Sequence, residues 1–303
     1  MTTFLSGPVT VSVPATSANL GPGYDALGLA LDHRDRVTAQ VLDGAGLELT
    51  VSGAGQGEVP LDERHLVYRS MLAGFDHMGA TVPGIRLRCE NVIPHARGLG
   101  SSSAAIVAGV CAARALVAGG SLLMDDDAVF ALASGLEGHP DNVAPALYGG
   151  FTVAVRDGDG FQAASLSVDP RVQVVAFVPP VGVQTAVARS LLPQSVPHAD
   201  AAANAGRAAL LVAALGRQPE LLLAATEDRL HQDYRQPAMP DSLRLVHQLR
   251  ADGLAAVVSG AGPTVLIFTD LTQQPAVASR APDGWEVLAV PIDRYGARVD
   301  LPE

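Results

Sequence analysis

Residues 93–105 read Ile93-Pro94-His95-Ala96-Arg97-Gly98-Leu99-Gly100-Ser101-Ser102-Ser103-Ala104-Ala105. Two glycines bracket a leucine, three serines follow, and an Ala/Val-rich segment runs on to about Val117. Glycine admits backbone angles closed to other residues and lets a ligand approach the main chain. Serine is a preferred N-cap because its hydroxyl satisfies free N–H groups in a helix's first turn. The combination predicts a loop whose amides converge on a hollow at the positive end of a helix dipole, a setting that suits a phosphate. Taken alone, the stretch reads equally as a glycine turn before an ordinary buried helix. Two standard nucleotide loops fit poorly. No Gly-Lys-Ser/Thr follows at Walker A spacing, and the third glycine of a Gly-x-Gly-x-x-Gly fingerprint falls at Ser103.

Four other groups carry chemistry. Asn19 and Asp25 flank Gly21-Pro22-Gly23, and an amide and a carboxylate on a rigid turn can hold a hydroxyl and an ammonium group; the same residues also stabilise plain turns. Glu137, His139, Asp141 and Asn142 follow a helical stretch. A carboxylate near a phosphate loop is what Mg²⁺ needs, because that ion takes few protein oxygens and shares the nucleotide's. Thr185 and Arg189 stand one helical turn apart, with Arg235 further on; the arginine fork binds a carboxylate or phosphate through two parallel bonds. Last, Ser259-Gly260-Ala261-Gly262-Pro263-Thr264 makes a second glycine turn between apolar strands. The remaining histidines are scattered without His-Glu-x-x-His spacing, which argues against zinc.

The elements that must position these groups follow from periodicity. Val9–Pro14 alternates like a strand, residues 15–25 read as a turn-rich stretch, and Ala26–Leu31, Arg36–Leu42 and Leu47–Val51 read as further extended runs. Val67–Gly74 starts a helix, and Ile85–Glu90 is the strand before the glycine loop. Asp125-Asp126-Asp127 opens a helix with acids at its favourable end. Phe151–Val155 and Val172–Val178 read as strands on either side of an Asp157–Gly160 turn. Helices are expected near 199–215, 219–229 and 241–252, then a strand–turn–strand over 255–268 and a closing strand near 286–290. Strands and helices mixed without a βαβ rhythm predict an α+β fold in two domains, 1–156 and 157–303.

Bulk properties narrow the function. With 48% hydrophobic and 17% charged residues over 303 positions, the composition is globular, and 4% aromatics predict a fine-grained Ala/Val/Leu core. A net charge of −11 argues against nucleic acid or an anionic membrane as a partner. A phosphorylated ligand must therefore meet local donors or a metal ion. Cys89 and Cys111 are the only cysteines, so no disulfide framework arises, and free thiols in a reducing cytoplasm are expected. Residues 1–5 lack a signal-peptide pattern, and the longest apolar run, 104–117, is broken by Arg114 and falls short of a membrane span.

Three separated signatures now combine. Pro14-Ala15-Thr16-Ser17-Ala18-Asn19-Leu20-Gly21-Pro22-Gly23-Tyr24-Asp25, Gly98–Ala105 and Ser259–Thr264 resemble, in the same order, the three motifs of the GHMP small-molecule kinases. The first of them, with Glu137-Gly138-His139-Pro140-Asp141-Asn142-Val143-Ala144-Pro145-Ala146-Leu147, is similar to the homoserine kinase family's own versions. That resemblance implies an N-terminal domain like ribosomal protein S5 domain 2 and a ferredoxin-like C-terminal domain. It also implies phosphoryl transfer from ATP to the side-chain hydroxyl of L-homoserine, with Mg²⁺, for threonine synthesis. Pro94, His95, Ala96, Arg97, Gly98, Leu99, Gly100, Ser101, Ser102, Ser103 and Ala104 would then wrap the ATP phosphates, with Ser102 and Glu137 reaching the metal. Asn19, Asp25, His139, Asp141, Asn142, Thr185, Arg189, Arg235 and Gly260 fall on the acceptor-site positions. Arg189 and Arg235 would clamp the carboxylate, Asp25 would pair the ammonium, and Asn19 or Asn142 would orient the hydroxyl. Asp141 is the candidate base, although phosphoryl transfer asks mainly for alignment and charge neutralisation. His65-Leu66-Val67 stands where the family often has Asn-Leu-Val near adenine. The runner-up is another kinase of the superfamily, acting on an alcohol such as mevalonate. A dinucleotide-binding oxidoreductase needs an acid ending a second strand, where 125–127 instead opens a helix. The partners expected are small molecules, with a homodimer compatible.

Overall fold

A computed structural model describes residues 2–301. Among them, the N-terminal half supplies β1 (Val9–Ala18), β2 (Leu27–Leu42), β3 (Leu47–Gly53), β4 (Gly84–Asn91), β5 (Phe151–Asp157) and β6 (Gly160–Leu166). The other half supplies β7 (Gln173–Val178), β8 (Ala255–Val258), β9 (Val265–Thr269), β10 (Glu286–Leu288) and β11 (Arg298–Asp300). A seven-stranded sheet runs β11-β1-β2-β4-β3, with β5 on β2 and β6 on β5. The helices beside it are α1 (Leu66–His77), α2 (Ser101–Leu116), α3 (Gly120–Leu123), α4 (Asp126–Glu137) and α5 (Val143–Tyr148).

The second sheet is antiparallel, in the order β10-β7-β9-β8. Between β7 and β8 come α6 (Thr185–Ser190), α7 (His198–Gly216), α8 (Leu222–Ala225) and α9 (Pro240–Ala251), and α10 (Gln274–Ala278) joins β9 to β10. That β-α-β-β-α-β layout is the ferredoxin-like arrangement expected of the C-terminal half. The period-2 alternation of β7 shows how it is buried. Val174, Ala176 and Val178 belong to the large core continuous with the first sheet, while Val175 and Phe177 join Leu243, Val246 and Leu249 of α9 on the other face.

Four expectations need correction. Residues 15–18 are not turn but the end of β1, paired with Gly28–Leu31; a bulge after Pro14 lets the ladder continue, and the chain turns only at Asn19. The runs at 26–31 and 36–42 are one strand, since Arg34 and Asp35 stay in register with β1 across the same bulge. The 219–229 helix is a short 3-10 turn followed by α8, which stops at Thr226. Asp228 then accepts the amides of Leu230, His231 and Gln232, a local alternative to helix. Finally, the turn at 157–160 joins β5 to β6 inside the first sheet, so the change of sheet falls between Leu166 and Gln173, and β11 returns to β1. Cutting at 156/157 splits a hairpin.

Helix α2 is buried almost all round, from Ser103 to Leu116, as an apolar helix must be in a core. Its small residues permit this. A Cβ on Gly109 would stand 2.4 Å from the Val67 carbonyl oxygen of α1. No helix among the described residues is long and apolar enough to cross a membrane.

Candidate active site

The glycine loop takes the backbone shape its sequence predicts. Ala96, Gly98 and Gly100 all have positive φ, at 53°, 74° and 71°, and α2 starts directly afterwards. The serines do not cap it as expected. The N-cap is Gly100 in the left-handed region, without a side-chain cap. Ser102 and Ser103 instead donate their hydroxyls to Glu137 Oε1, at 2.6 and 2.9 Å. These two bonds fix the carboxylate at the end of α4 beside the first turn of α2.

The second glycine turn presses against this loop. The Ser259 hydroxyl donates to the Gly98 carbonyl at 2.6 Å, and the Gly98 Cα faces the Ser259 and Gly262 carbonyls. A cavity of about 290 Å³ opens between them. Gly98, Leu99, Gly100, Ser101 and Ser102 line it, joined by Ala96. Not every residue of the 94–104 stretch faces it. Arg97 turns its guanidinium away, donating to the carbonyls of His95, Pro179 and Pro180. It straps the loop to the segment before α6, where Val183 N–H also donates to the Ala96 carbonyl. Ser103 is buried on Glu137. His95 and Ala104 line an adjoining cavity of about 330 Å³, with Val37, His65, Leu66, Val67 and Ala108. Pro94 lines neither.

The same cavity brings together Asn19, Asp25, His139, Asp141, Asn142, Thr185, Arg189, Arg235 and Gly260, with Glu137 alongside. Chain segments more than 200 residues apart meet here. Asn19, with φ of 66°, has both ends of its amide committed: Nδ2 donates to the Gly260 carbonyl at 2.8 Å and Oδ1 accepts the Asp25 amide at 2.9 Å. These two bonds fix the side chain while leaving one N–H and one oxygen lone pair of the amide unused by them. Asn142 Oδ1 accepts the Thr16 hydroxyl at 2.7 Å, which turns the amide nitrogen to the remaining side. Asp141, 2% exposed, pairs with His139 Nδ1 at 2.8 Å. Burial opposes the His139 charge, but the Asp141 bond and field outweigh it and raise the imidazole pKa.

The arginines differ in circumstance. Arg189 forms a two-pronged pair with Asp25, at 2.7 and 3.0 Å, and also donates to the Tyr24 hydroxyl at 2.9 Å. Asp25 is thus already neutralised by Arg189, a pairing that the simple division into clamp and ammonium partner does not foresee. Arg235 is 1% exposed and, among the described residues, donates only to the Gly260 carbonyl at 2.9 Å and has a buried Nε without a partner. Burial pulls its pKa down. A buried cation without a carboxylate partner among the described residues marks a place for an anion. Thr16, Tyr24 and His231 support the site without having been singled out; the first two lie inside a quoted motif, whereas His231 carries no local signal.

Comparison with known proteins adds the following. A family model described as the GHMP kinases N terminal domain matches residues 65–150, and one described as GHMP kinases C terminal matches residues 203–287. A homoserine kinase from Streptomyces avermitilis is 54% identical over 98% of this chain and 97% of its own, and one from Streptomyces coelicolor is 53% identical over 98% and 96%. Among solved structures, a homoserine kinase from Cytophaga hutchinsonii matches with a TM-score of 0.82 at 28% identity, covering 97% of each chain.

Proposed function

Because the chain belongs to the homoserine kinases of the GHMP superfamily, we propose that the cavity between its two glycine turns is where ATP phosphorylates L-homoserine. The reaction makes O-phospho-L-homoserine for threonine biosynthesis. The hydroxyl oxygen attacks the γ-phosphorus, the bond to the β–γ bridging oxygen breaks, ADP leaves, and the hydroxyl proton is released. The observation that carries this placement is the buried Arg235, without a carboxylate partner among the described residues, on the same cavity as Gly98–Ser102. A glycine loop suited to a phosphate and a cation suited to a carboxylate share one small volume.

Residue roles follow from the geometry. The loop amides and the α2 dipole take the phosphates, and the adjoining apolar cavity under His65 and Val67 takes the base. Arg235 receives the substrate carboxylate. Asp25, whose oxygens retain lone pairs beyond the Arg189 bonds, receives the ammonium. Asn142, its oxygen committed to Thr16, offers Nδ2 to the acceptor hydroxyl. Alignment of this kind supplies most of what phosphoryl transfer needs. Asp141 stays the candidate base, held by His139. Mevalonate has no ammonium for Asp25, and on that ground homoserine is the better acceptor. We place the enzyme in the cytoplasm.

Among the described residues no cluster of three or more His, Cys, Asp or Glu could hold a metal by itself. Ser102 and Glu137 nonetheless offer a hydroxyl and a carboxylate oxygen, which fits Mg²⁺ shared with phosphate oxygens. When bound, the ion neutralises charge on the transferring phosphoryl group. Glu137→Gln keeps acceptors for both serines and removes only the charge. It is expected to raise the Mg²⁺ concentration for half-maximal rate by about tenfold, with the homoserine KM unchanged. An unaltered Mg²⁺ titration removes Glu137 from the metal site.

The function is tested by measuring ADP release with ATP and Mg²⁺ while homoserine, mevalonate, serine and galactose compete as acceptors. Homoserine is expected to dominate. Turnover of mevalonate without homoserine overturns the assignment.

A further inference from the structure

Tyr24 stands where the two arginines meet. Both guanidinium carbons lie 5.7 Å from its ring centre, inside the range of a cation–π contact. The hydroxyl accepts from Arg189, and the ring packs on His231, centroid to centroid 5.2 Å with a 37° tilt. His231 is itself fixed, donating from Nε2 to the Gly21 carbonyl at 2.7 Å. The loop carrying Tyr24 is held by Gly23 N–H on the Asn19 carbonyl and by the Asp25 amide on the Asn19 side chain. Little in this arrangement is free to drift.

Two like charges thereby share one ring, one of them fully buried and, among the described residues, without a carboxylate partner. Each disfavours the other. An aromatic face bears partial negative charge and attracts a cation most strongly where water is excluded. We infer that Tyr24 is a positioning residue whose ring, beside the Arg189–Asp25 pair, holds Arg235 aimed at the acceptor carboxylate before substrate arrives, and so sets the preference for acceptors bearing one. Without that face, Arg235 loses the group that tolerates its charge and has reason to leave the cavity for solvent. This inference rests on the arginine roles proposed above; Tyr24 touches the arginines and acts through them.

The test replaces Tyr24 by phenylalanine and then by phenylalanines with one, two and three ring fluorines, which drain the face of negative charge at nearly constant shape. Tyr24→Phe should raise the homoserine KM about threefold, for the lost Arg189 bond, and each fluorine should raise it further, to about thirtyfold for the last. The kcat and the ATP KM should move less than threefold. The ratio of kcat/KM for homoserine over its carboxyl-reduced diol should shrink by about tenfold across the series. Tyr24→Leu should match the most fluorinated variant. A flat fluorine series, or equal losses on homoserine, the diol and ATP, overturns the inference and leaves a structural tyrosine. Failure of the underlying reading looks different: the wild-type enzyme would then show no preference for homoserine over the diol.

Discussion

Arg235→Met should abolish useful homoserine binding while leaving the protein as stable as before, or more so. A charge-assisted bond to a buried carboxylate is worth about 1.5–3 kcal/mol, and leaving one member of such a pair without its partner costs about 3–5 kcal/mol. At about 1.4 kcal/mol per factor of ten, the homoserine KM should rise by roughly 100- to 1,000-fold. The ATP KM should stay within about threefold, because among the described residues Arg235 bonds the Gly260 carbonyl and no group of the Gly98–Ser102 loop. Stability runs the other way. The guanidinium is buried with its Nε unsatisfied, and replacing such a charge by an apolar side chain of similar volume is commonly neutral or stabilising. Methionine leaves no new orphan, since the Gly260 carbonyl keeps its bond from Asn19. Calorimetry and steady-state kinetics together decide. Equal losses toward homoserine and ATP would show that the carboxylate clamp is misplaced.

Gly98→Ala is the second large effect, and it acts on the glycine loop. At φ of 74° the backbone lies in the left-handed region, where a side chain is strained. A Cβ there would stand 2.2 Å from the Ser259 carbonyl oxygen and 2.9 Å from that of Gly262. Neither neighbour is a flexible side chain, so the two glycine turns must separate and the phosphate hollow must widen. ATP affinity should fall by at least about tenfold, as a loss of about 1.4 kcal/mol implies, and kcat should fall with it. The melting temperature should drop several degrees, at about 2–4 °C per kcal/mol for a chain of this order. Gly135→Ala supplies the control. It sits inside α4 with nothing within 4 Å of an added Cβ, and the same chemical change there should stabilise by about 0.5–1 kcal/mol. If Gly98→Ala binds ATP normally, the Gly98 amide hollow is not where the nucleotide sits.

What could be read from residues alone was whatever local chemistry dictates. Gly98 and Gly100 had to turn, the Ala-rich stretch after them had to be buried, and the Asp125 cap had to open α4; each is a short-range constraint. Strand β6 escaped because it is an exposed edge, with Gln162, Ala163, Ala164 and Ser165 giving no apolar alternation. The unbroken β2 escaped because charged residues at 32–36 mimic a loop. The site divides the same way. Asn19 and Asp25 share a motif, whereas nothing in the sequence near Arg235 announces that it will lie buried against Gly260. That pairing is decided by the meeting of two sheets. Likewise, Arg97 looks like a phosphate ligand until the Pro179 and Pro180 carbonyls claim it. Charge type is legible locally; which neighbour claims the charge is not.

The short strand β11 pairs Arg298–Asp300 with Thr10–Ser12, so one flank of the first sheet is completed by residues almost 290 positions further along the chain. During translation, that flank of β1 must wait bare until residue 300 has left the ribosome.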